Sequence, residues 1–386
     1  MTPREPLTIN NIVVEWIDSD EQLADLLATR DVTVDYALDT EFIAGQAYFT
    51  ELSLVQIAWP DRIALIDPYL VSLQPLRPFF EGPADAILHA AQGDLELLEL
   101  AVGVRPQHLF DTQIAGQFLG LSTPSLAHLV QKLCGVALDK THQRTDWTVR
   151  PLADDVRHYA ASDVAYLHTM KEKLLEDLSR RGRVEWMLAE CEVVRTTPAP
   201  STDPHELWWR LTRATGIPSG RQLGAQRLAV LRDSRARSRN RPASHILTDD
   251  ALVALATKPP RDFAELKKIK GCHALPEPFA REILQLLSTA AHESPGELRR
   301  LPSSGVAPEL EPIVNILLAV ANQRAVDLDI DAKVLGTRRD IADLVSQQPT
   351  RLDVPWRASL LTDDLRRILS GQATIAVDGS KIVIRT

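Results

Sequence analysis

The sequence predicts an α/β domain, in which strands and helices mix, followed by two smaller helical parts. Three observations carry this. Strand and helix patterns alternate along the N-terminal part of the chain. Two stretches rich in proline and small polar residues, at 196–204 and 292–308, read as linkers. Beyond the first of them the apolar spacing is helical almost to the end.

The elements follow in order. Residues 32–38 are a β-branched and aromatic run that leads into Asp39. Residues 52–59 and 62–66 are two further strands joined at Pro60-Asp61. Residues 87–89 make a short apolar strand, and 94–101 an amphipathic helix. The middle part, 206–287, is helical throughout, and residues 310–320 repeat apolar positions at a spacing of 3–4. At the end, Asp378-Gly379 between two β-rich runs, 374–377 and 380–384, signals a hairpin. The expected domains are therefore 1–195, 205–291 and 309–386, the last with the closing hairpin.

Composition narrows the class. At 386 residues the chain has room for several domains. A net charge of −9 argues against a wholly basic nucleic-acid coat but leaves room for a local basic face. The three cysteines, Cys134, Cys191 and Cys272, are far apart and form no CxxC pair. That speaks against a zinc site or disulfide framework and for a reducing compartment, hence the cytoplasm. The start, MTPREPLTINN, lacks a basic region followed by an apolar run, and the apolar stretch near 313–321 is too short to span a bilayer. No membrane association is expected. There is no GxGxxG and no P-loop, so a nucleotide-cofactor fold is not supported.

Three segments carry chemistry. In LDTEF, Asp39 and Glu41 are two apart on a strand, so both carboxylates leave the same face. Close carboxylates repel unless a cation lies between them, and hard oxygen ligands suit Mg²⁺ or Mn²⁺. The plain alternative is a strand end running into a polar turn. In HAAQGDLELLEL, Asp94 falls where a strand meets a helix, and an N-cap would account for it equally. In RPLADDVRHYAASDVAYL, Tyr159 and Asp163 are four apart on a helix and share a face. The alternative there is a buried tyrosine above a solvated aspartate.

The combination is more specific than its parts. Asp-x-Glu, a later Asp and then Tyr-x-x-x-Asp is the ordered pattern of the DEDD exonucleases. The flanks LSLVQIAW, LIDP, HAAQGDL, FDTQIAGQFLG, DWTVRPL and HYAASDVAYL extend the match, so that most of residues 30–170 resembles ribonuclease D. The resemblance implies a ribonuclease-H-like exonuclease domain with a mixed central sheet. It implies a 3′-to-5′ exoribonuclease releasing nucleoside 5′-monophosphates with two divalent ions, Mg²⁺ or Mn²⁺. Asp39, Glu41 and Asp163 would hold one ion, and Asp39 with Asp94 the second. Tyr159 would orient the attacking water. The implied partner is RNA with an unpaired 3′ end, such as a tRNA precursor, met by a monomer. His158, five before Asp163, has the spacing of the histidine branch of the superfamily; the family match and the shared helix face both favour Tyr159. One departure stands out: IAGQAYFTELS, after LDTEF, lacks the basic residues and proline often present there.

The middle part resembles the HRDC domain, a helical module shared by ribonuclease D and some helicases, through Trp208-Trp209, LAVLRDSRARSRNRP and HILTDDALVALA. Nine arginines lie within residues 207–242 against one acid, Asp233. Guanidinium forks suit phosphate, so Arg235, Arg237 and Arg239 are candidates for a sequence-blind RNA contact. A solvated helix face is the alternative. The Trp208-Trp209 pair could stack bases, but adjacent helical residues point apart, so one belongs in a core. The C-terminal part resembles a second HRDC-like domain, with Trp356-Arg357 structural. Two other functions compete. One is a 3′-to-5′ DNA exonuclease with the same metal chemistry. The other is a non-catalytic RNA-binding protein, which the loss of a metal ligand would mark; all four carboxylates are present.

Overall fold

Asp31 accepts hydrogen bonds from the backbone N–H and the hydroxyl of Thr33 (2.9 and 2.8 Å), closing a turn. The β-branched residues after it are therefore not strand, and the first long strand of the domain begins at Tyr36. The computed structural model of the chain describes residues 7–43, 45, 47–139, 141–142, 145–199, 203–293, 296, 298–300 and 306–385. Both expected linkers, 196–204 and 292–308, lie partly outside the described residues. The chain divides into two compact units, one of Met1–Glu41, Leu52–Thr197 and Gly305–Thr386, the other of Phe42–Glu51 and Pro198–Ser304.

The first unit is built on a mixed seven-stranded sheet. Its strands are β1 (Thr8–Ile9), β2 (Ile12–Ile17), β3 (Tyr36–Ile43), β4 (Glu51–Trp59), β5 (Arg62–Ile66), β6 (Ala86–Leu88) and β7 (Leu109–Asp111), in the order β1-β2-β5-β4-β3-β6-β7. β4 and β5 are antiparallel and close at Trp59–Arg62, whereas β3–β6, β6–β7 and β2–β5 are parallel. β4 is buried from Ser53 to Trp59, the continuous burial of a central strand covered on both faces. The Leu167–Arg180 helix buries Leu167, Met170, Leu174 and Leu178, a helical spacing that gives it one apolar face to lay down.

The C-terminal helices, expected as a domain of their own, fold into this same unit. Arg357 is fully buried, pairs with Glu190 at 2.6 Å and donates to the Val334 carbonyl at 3.0 and 2.8 Å. Trp356 stacks on Trp186 with ring centroids 5.9 Å apart. Trp356-Arg357 is thus a packing element. The closing hairpin forms, with Asp378 paired to Lys381. Its two loop residues are Gly379 and Ser380, one position later than the Asp-Gly signal suggests, because Gly379 takes the positive φ of 59° at the first turn position.

In the second unit the Gln222–Ser238, Asp249–Thr257 and Glu277–Ala290 helices pack around Trp208, Leu228, Leu252 and Ile283. The first of these stops at Asn240, whose left-handed φ of 45° lets the Arg241 N–H reach back to the Ala236 carbonyl (3.0 Å). The segment after LDTEF belongs here too. The Tyr48 hydroxyl donates to Asp233 (2.7 Å), and the Tyr48 and Phe49 N–H groups to the Asn240 side chain (3.2 and 3.4 Å).

Candidate active site

The strand pleat sends Asp39 and Glu41 out on one face of β3. Asp163 reaches the same place from the Asp154–Ala165 helix, and one carboxylate oxygen from each of the three lies within 4.8 Å of the others. Tyr159, one turn before Asp163, is buried, whereas His158 beside it is exposed. The rings of Trp147 and His142 pack against Tyr159, with centroids 6.2 and 5.9 Å away. Arg150 ties the segment before this helix to the sheet. It pairs with fully buried Asp67 and donates to the carbonyls of Ser53 (2.6 Å) and Trp147 (2.7 Å).

Asp94 is not an N-cap. It is the third residue of the Gln92–Val102 helix, whose cap position, Ala91, makes no side-chain bond. Instead Asp94 is buried and accepts a short hydrogen bond from the Thr40 hydroxyl. The turn that presents it is held by Asp111 at the end of β7. That carboxylate accepts from the N–H groups of Ala90 (3.1 Å), Ala91 (2.9 Å) and Gln113 (2.8 Å), with Ala90 left-handed at φ 61°. Sequence reasoning gave no role to Thr40 or Asp111. An aspartate between an apolar strand and Thr-Gln is a cap signal that could have found the second; nothing local marks the first.

Burial raises every carboxyl in the cluster, and mutual repulsion adds to it at Asp39 and Glu41. Desolvation, then the charges of Asp94, Asp163 and Glu41, pushes Asp39 well above the usual carboxylate range. Glu41 rises to about 8, chiefly by burial and then by the charges of Asp163 and Asp94. Burial takes Asp163 to about 7. Asp94 rises to about 6, again by burial, although the Thr40 hydrogen bond pulls the other way. Among the described residues no lysine, arginine or histidine forms an ion pair with any of the four. Buried oxygen donors without a balancing cation fit a divalent metal ion. The Tyr159 phenol is raised beyond its ordinary range by burial and by Asp163, Glu41 and Asp39, so it keeps its proton.

The arginine candidates separate. Arg235 pairs with Glu282 and lies 4.1 Å over the Phe279 ring. Arg237 is exposed and sits over Tyr48 and Phe49 (5.7 and 5.9 Å), while Arg239 is exposed beyond the helix end. Trp208 is fully buried and Trp209 half-buried, and both indole N–H groups donate to the Arg299 carbonyl at 3.0 Å.

Comparison with known proteins agrees with this architecture. A 3′-5′ exonuclease family model matches residues 14–179, and an HRDC domain model residues 225–287. Ribonuclease D of a Jannaschia species is 31% identical, with 95% of this chain and 98% of that protein covered. Ribonuclease D of Acidiphilium cryptum is 31% identical over 97% and 96%. Among solved structures, Escherichia coli ribonuclease D, an exoribonuclease involved in structured RNA processing, superposes with a TM-score of 0.84 at 27% identity, covering 93% of this chain and 99% of that one. With its exonuclease sheet, its HRDC module and relatives matched along nearly their whole length, the chain belongs to the ribonuclease D family.

Proposed function

We propose that this chain is a 3′-to-5′ exoribonuclease that hydrolyses phosphodiester bonds with two divalent ions, Mg²⁺ or Mn²⁺, and releases nucleoside 5′-monophosphates. The observation that carries this is the convergence of Asp39, Glu41 and Asp163, without a balancing cation among the described residues, beside a protonated Tyr159. Asp39, Glu41 and Asp163 would hold one ion, and Asp39 with Asp94 the other. When bound, such ions lower the pKa of water and neutralise charge on the departing 3′ oxygen.

The chain's own residues supply positioning. The Thr40 hydroxyl donates to Oδ1 of Asp94 and holds that carboxyl in one rotamer. A phenol that keeps its proton cannot serve as the base, so Tyr159 orients the attacking water through its O–H. Trp147 and His142 keep the Tyr159 ring in place. Because the carboxylates are buried, the RNA must deliver an unpaired 3′ end, and a closed duplex resists. Given the role of its Escherichia coli relative in structured RNA processing, we assign it to 3′ maturation of tRNA precursors and other small RNAs in the cytoplasm. Of the three candidate arginines, Arg237 and Arg239 would add RNA-backbone contacts while Arg235 is held by Glu282, so replacing Arg237 and Arg239 with Ala should raise KM and flatten its salt dependence.

The test is cleavage of matched 5′-labelled single-stranded RNA and DNA, with Mg²⁺ or EDTA, by wild type and Asp39→Asn. The expected result is a metal-dependent ladder shortening from the 3′ end, faster on RNA and lost in Asp39→Asn. Preference for DNA would make it a DNA exonuclease. Binding without cleavage in either metal would make it an RNA-binding protein.

A further inference from the structure

The arginines of the Gln222–Ser238 helix fall into two sets. Arg227 pairs with Glu293 (2.5 Å), Arg232 with Asp249 (2.6 Å) and Arg235 with Glu282. Those three have their carboxylates within the same unit. Past the third, the pattern stops. Arg239 and Arg241 are exposed, and neither has a carboxylate partner among the described residues. The two flank left-handed Asn240, and both border a cavity of about 320 Å³. Ser244 and His245 line the same cavity, and buried Ile246 and Leu247 form part of its apolar floor. Two unpaired guanidinium groups over an apolar floor match an anion that carries a flat or apolar body.

We propose that this cavity is a nucleotide subsite for single-stranded RNA, in which Arg239 and Arg241 hold one backbone phosphate and the apolar floor takes the attached nucleoside. The inference rests on the exoribonuclease function proposed above, since it supplies the substrate class. It goes further by replacing a diffuse basic helix face with one concave site. It also removes Arg235 from that site, because its guanidinium already lies on Phe279 and pairs with Glu282. The volume is at the lower end of small-molecule pockets, enough for one nucleotide and not for a folded duplex.

The test uses the full chain and a 5′-fluorescein-labelled 12-nucleotide single-stranded RNA in EDTA, titrated across a salt series. Arg239→Ala/Arg241→Ala should raise Kd roughly tenfold, the worth of charged hydrogen bonds to one phosphate. It should also reduce the salt slope by about 0.7, one phosphate's share on a single strand. Ser244→Trp keeps both arginines and fills the cavity; it should weaken binding to a similar degree with the salt slope unchanged. Arg281→Ala, an exposed arginine of the same unit paired with Glu277, should bind like wild type. Wild-type affinity in the double variant overturns the subsite. So does wild-type affinity in Ser244→Trp, which would leave the arginines acting as open surface. Cleavage of the same RNA in Mg²⁺ separates the two ideas. If the variants lose affinity while wild type releases no nucleotide, the exoribonuclease function fails and the subsite stands. If wild type cleaves and the variants bind normally, the subsite alone fails.

Discussion

The two units handle unbalanced charge in opposite ways. In the first, Asp39, Glu41 and Asp163 converge in a half-buried place near Asp94, and among the described residues no side-chain cation pairs with them. In the second, Arg239 and Arg241 stand in solvent with no carboxylate partner among the described residues. Burial decides what each can do. A buried cluster of like charge is costly unless an ion is bound, so it selects a small, hard, doubly charged cation. An exposed set costs little to leave unpaired and meets a polyanion only weakly and with strong salt dependence. A third case lies between them. Arg357 is more deeply buried than the carboxylates, but its counter-charge, Glu190, is part of the chain.

The largest expected effect concerns that third case. Arg357→Ala leaves buried Glu190 with only Arg351, 3.5 Å away, as its counter-charge and should cost about 3 kcal/mol. The stacked Trp186 and Trp356 sit beside the pair, so tryptophan fluorescence during urea unfolding reads the loss directly. Replacing both partners with apolar residues should restore most of it. If the single change is harmless, buried charge in this unit is better solvated than the structure implies, and the contrast with the acidic cluster weakens.

Next comes the tyrosine. Tyr159→Phe keeps the ring packed on Trp147 and His142 and removes only the O–H. Single-turnover cleavage should slow by about a hundredfold, as when a positioned proton-handling group is removed. His158→Ala, at an exposed position, should change the rate less than twofold. The opposite ranking would move the water-orienting role to His158.

The carboxyl cluster makes a prediction about pH. Its acids are raised in the folded state, Glu41 to about 8 from 4.5 and Asp163 to about 7 from 3.8. A raised acid binds its proton more tightly when folded, so its stabilising effect is complete below the unfolded pKa and is lost as pH climbs through the folded one. In EDTA the melting temperature should therefore fall between about pH 4.5 and pH 8. Mg²⁺ must displace the same protons, so the rise it produces in the melting temperature should be larger at pH 8 than at pH 5.5. An equal rise at both would mean that the ion does not bind these groups.

The smallest effect separates arginines two residues apart. Arg235→Ala should cost about 1 kcal/mol of stability, from a surface ion pair and a cation–π contact, and leave RNA affinity within twofold. Arg237→Ala, which loses the contacts with Tyr48 and Phe49, should cost less than about 1 kcal/mol and raise the Kd for single-stranded RNA about threefold.

Much of the exonuclease site was legible because its logic is local. Asp39 and Glu41 need only the alternation of a strand, and Tyr159 and Asp163 only the turn of a helix. Asp94 was found by its place in the ordered pattern, but its environment was misjudged. Its partner, Thr40, is 54 residues away, and the cap that presents its turn is Asp111, not itself. The run at 32–34 looked like strand because β-branched residues favour one, and a single Asp31 side chain closed it into a turn. Arg235, Arg237 and Arg239 were equivalent as sequence; only the position of Glu282, Phe279 and Tyr48 distinguishes them.

By itself, then, the amino-acid sequence singled out the residues proposed to carry the chemistry, the mixed sheet they ride on and a helical module after it. These depend on period, spacing and residue type over short stretches of chain. The tertiary structure alone decided which charges have a counter-charge within the protein and which have none among the described residues. It also drew the C-terminal helices into the unit of the sheet, through Arg357 and Glu190, and gave residues 42–51 to the other unit. Those outcomes depend on partners brought together from distant parts of the chain, and pairing of that kind leaves no periodic mark in a sequence.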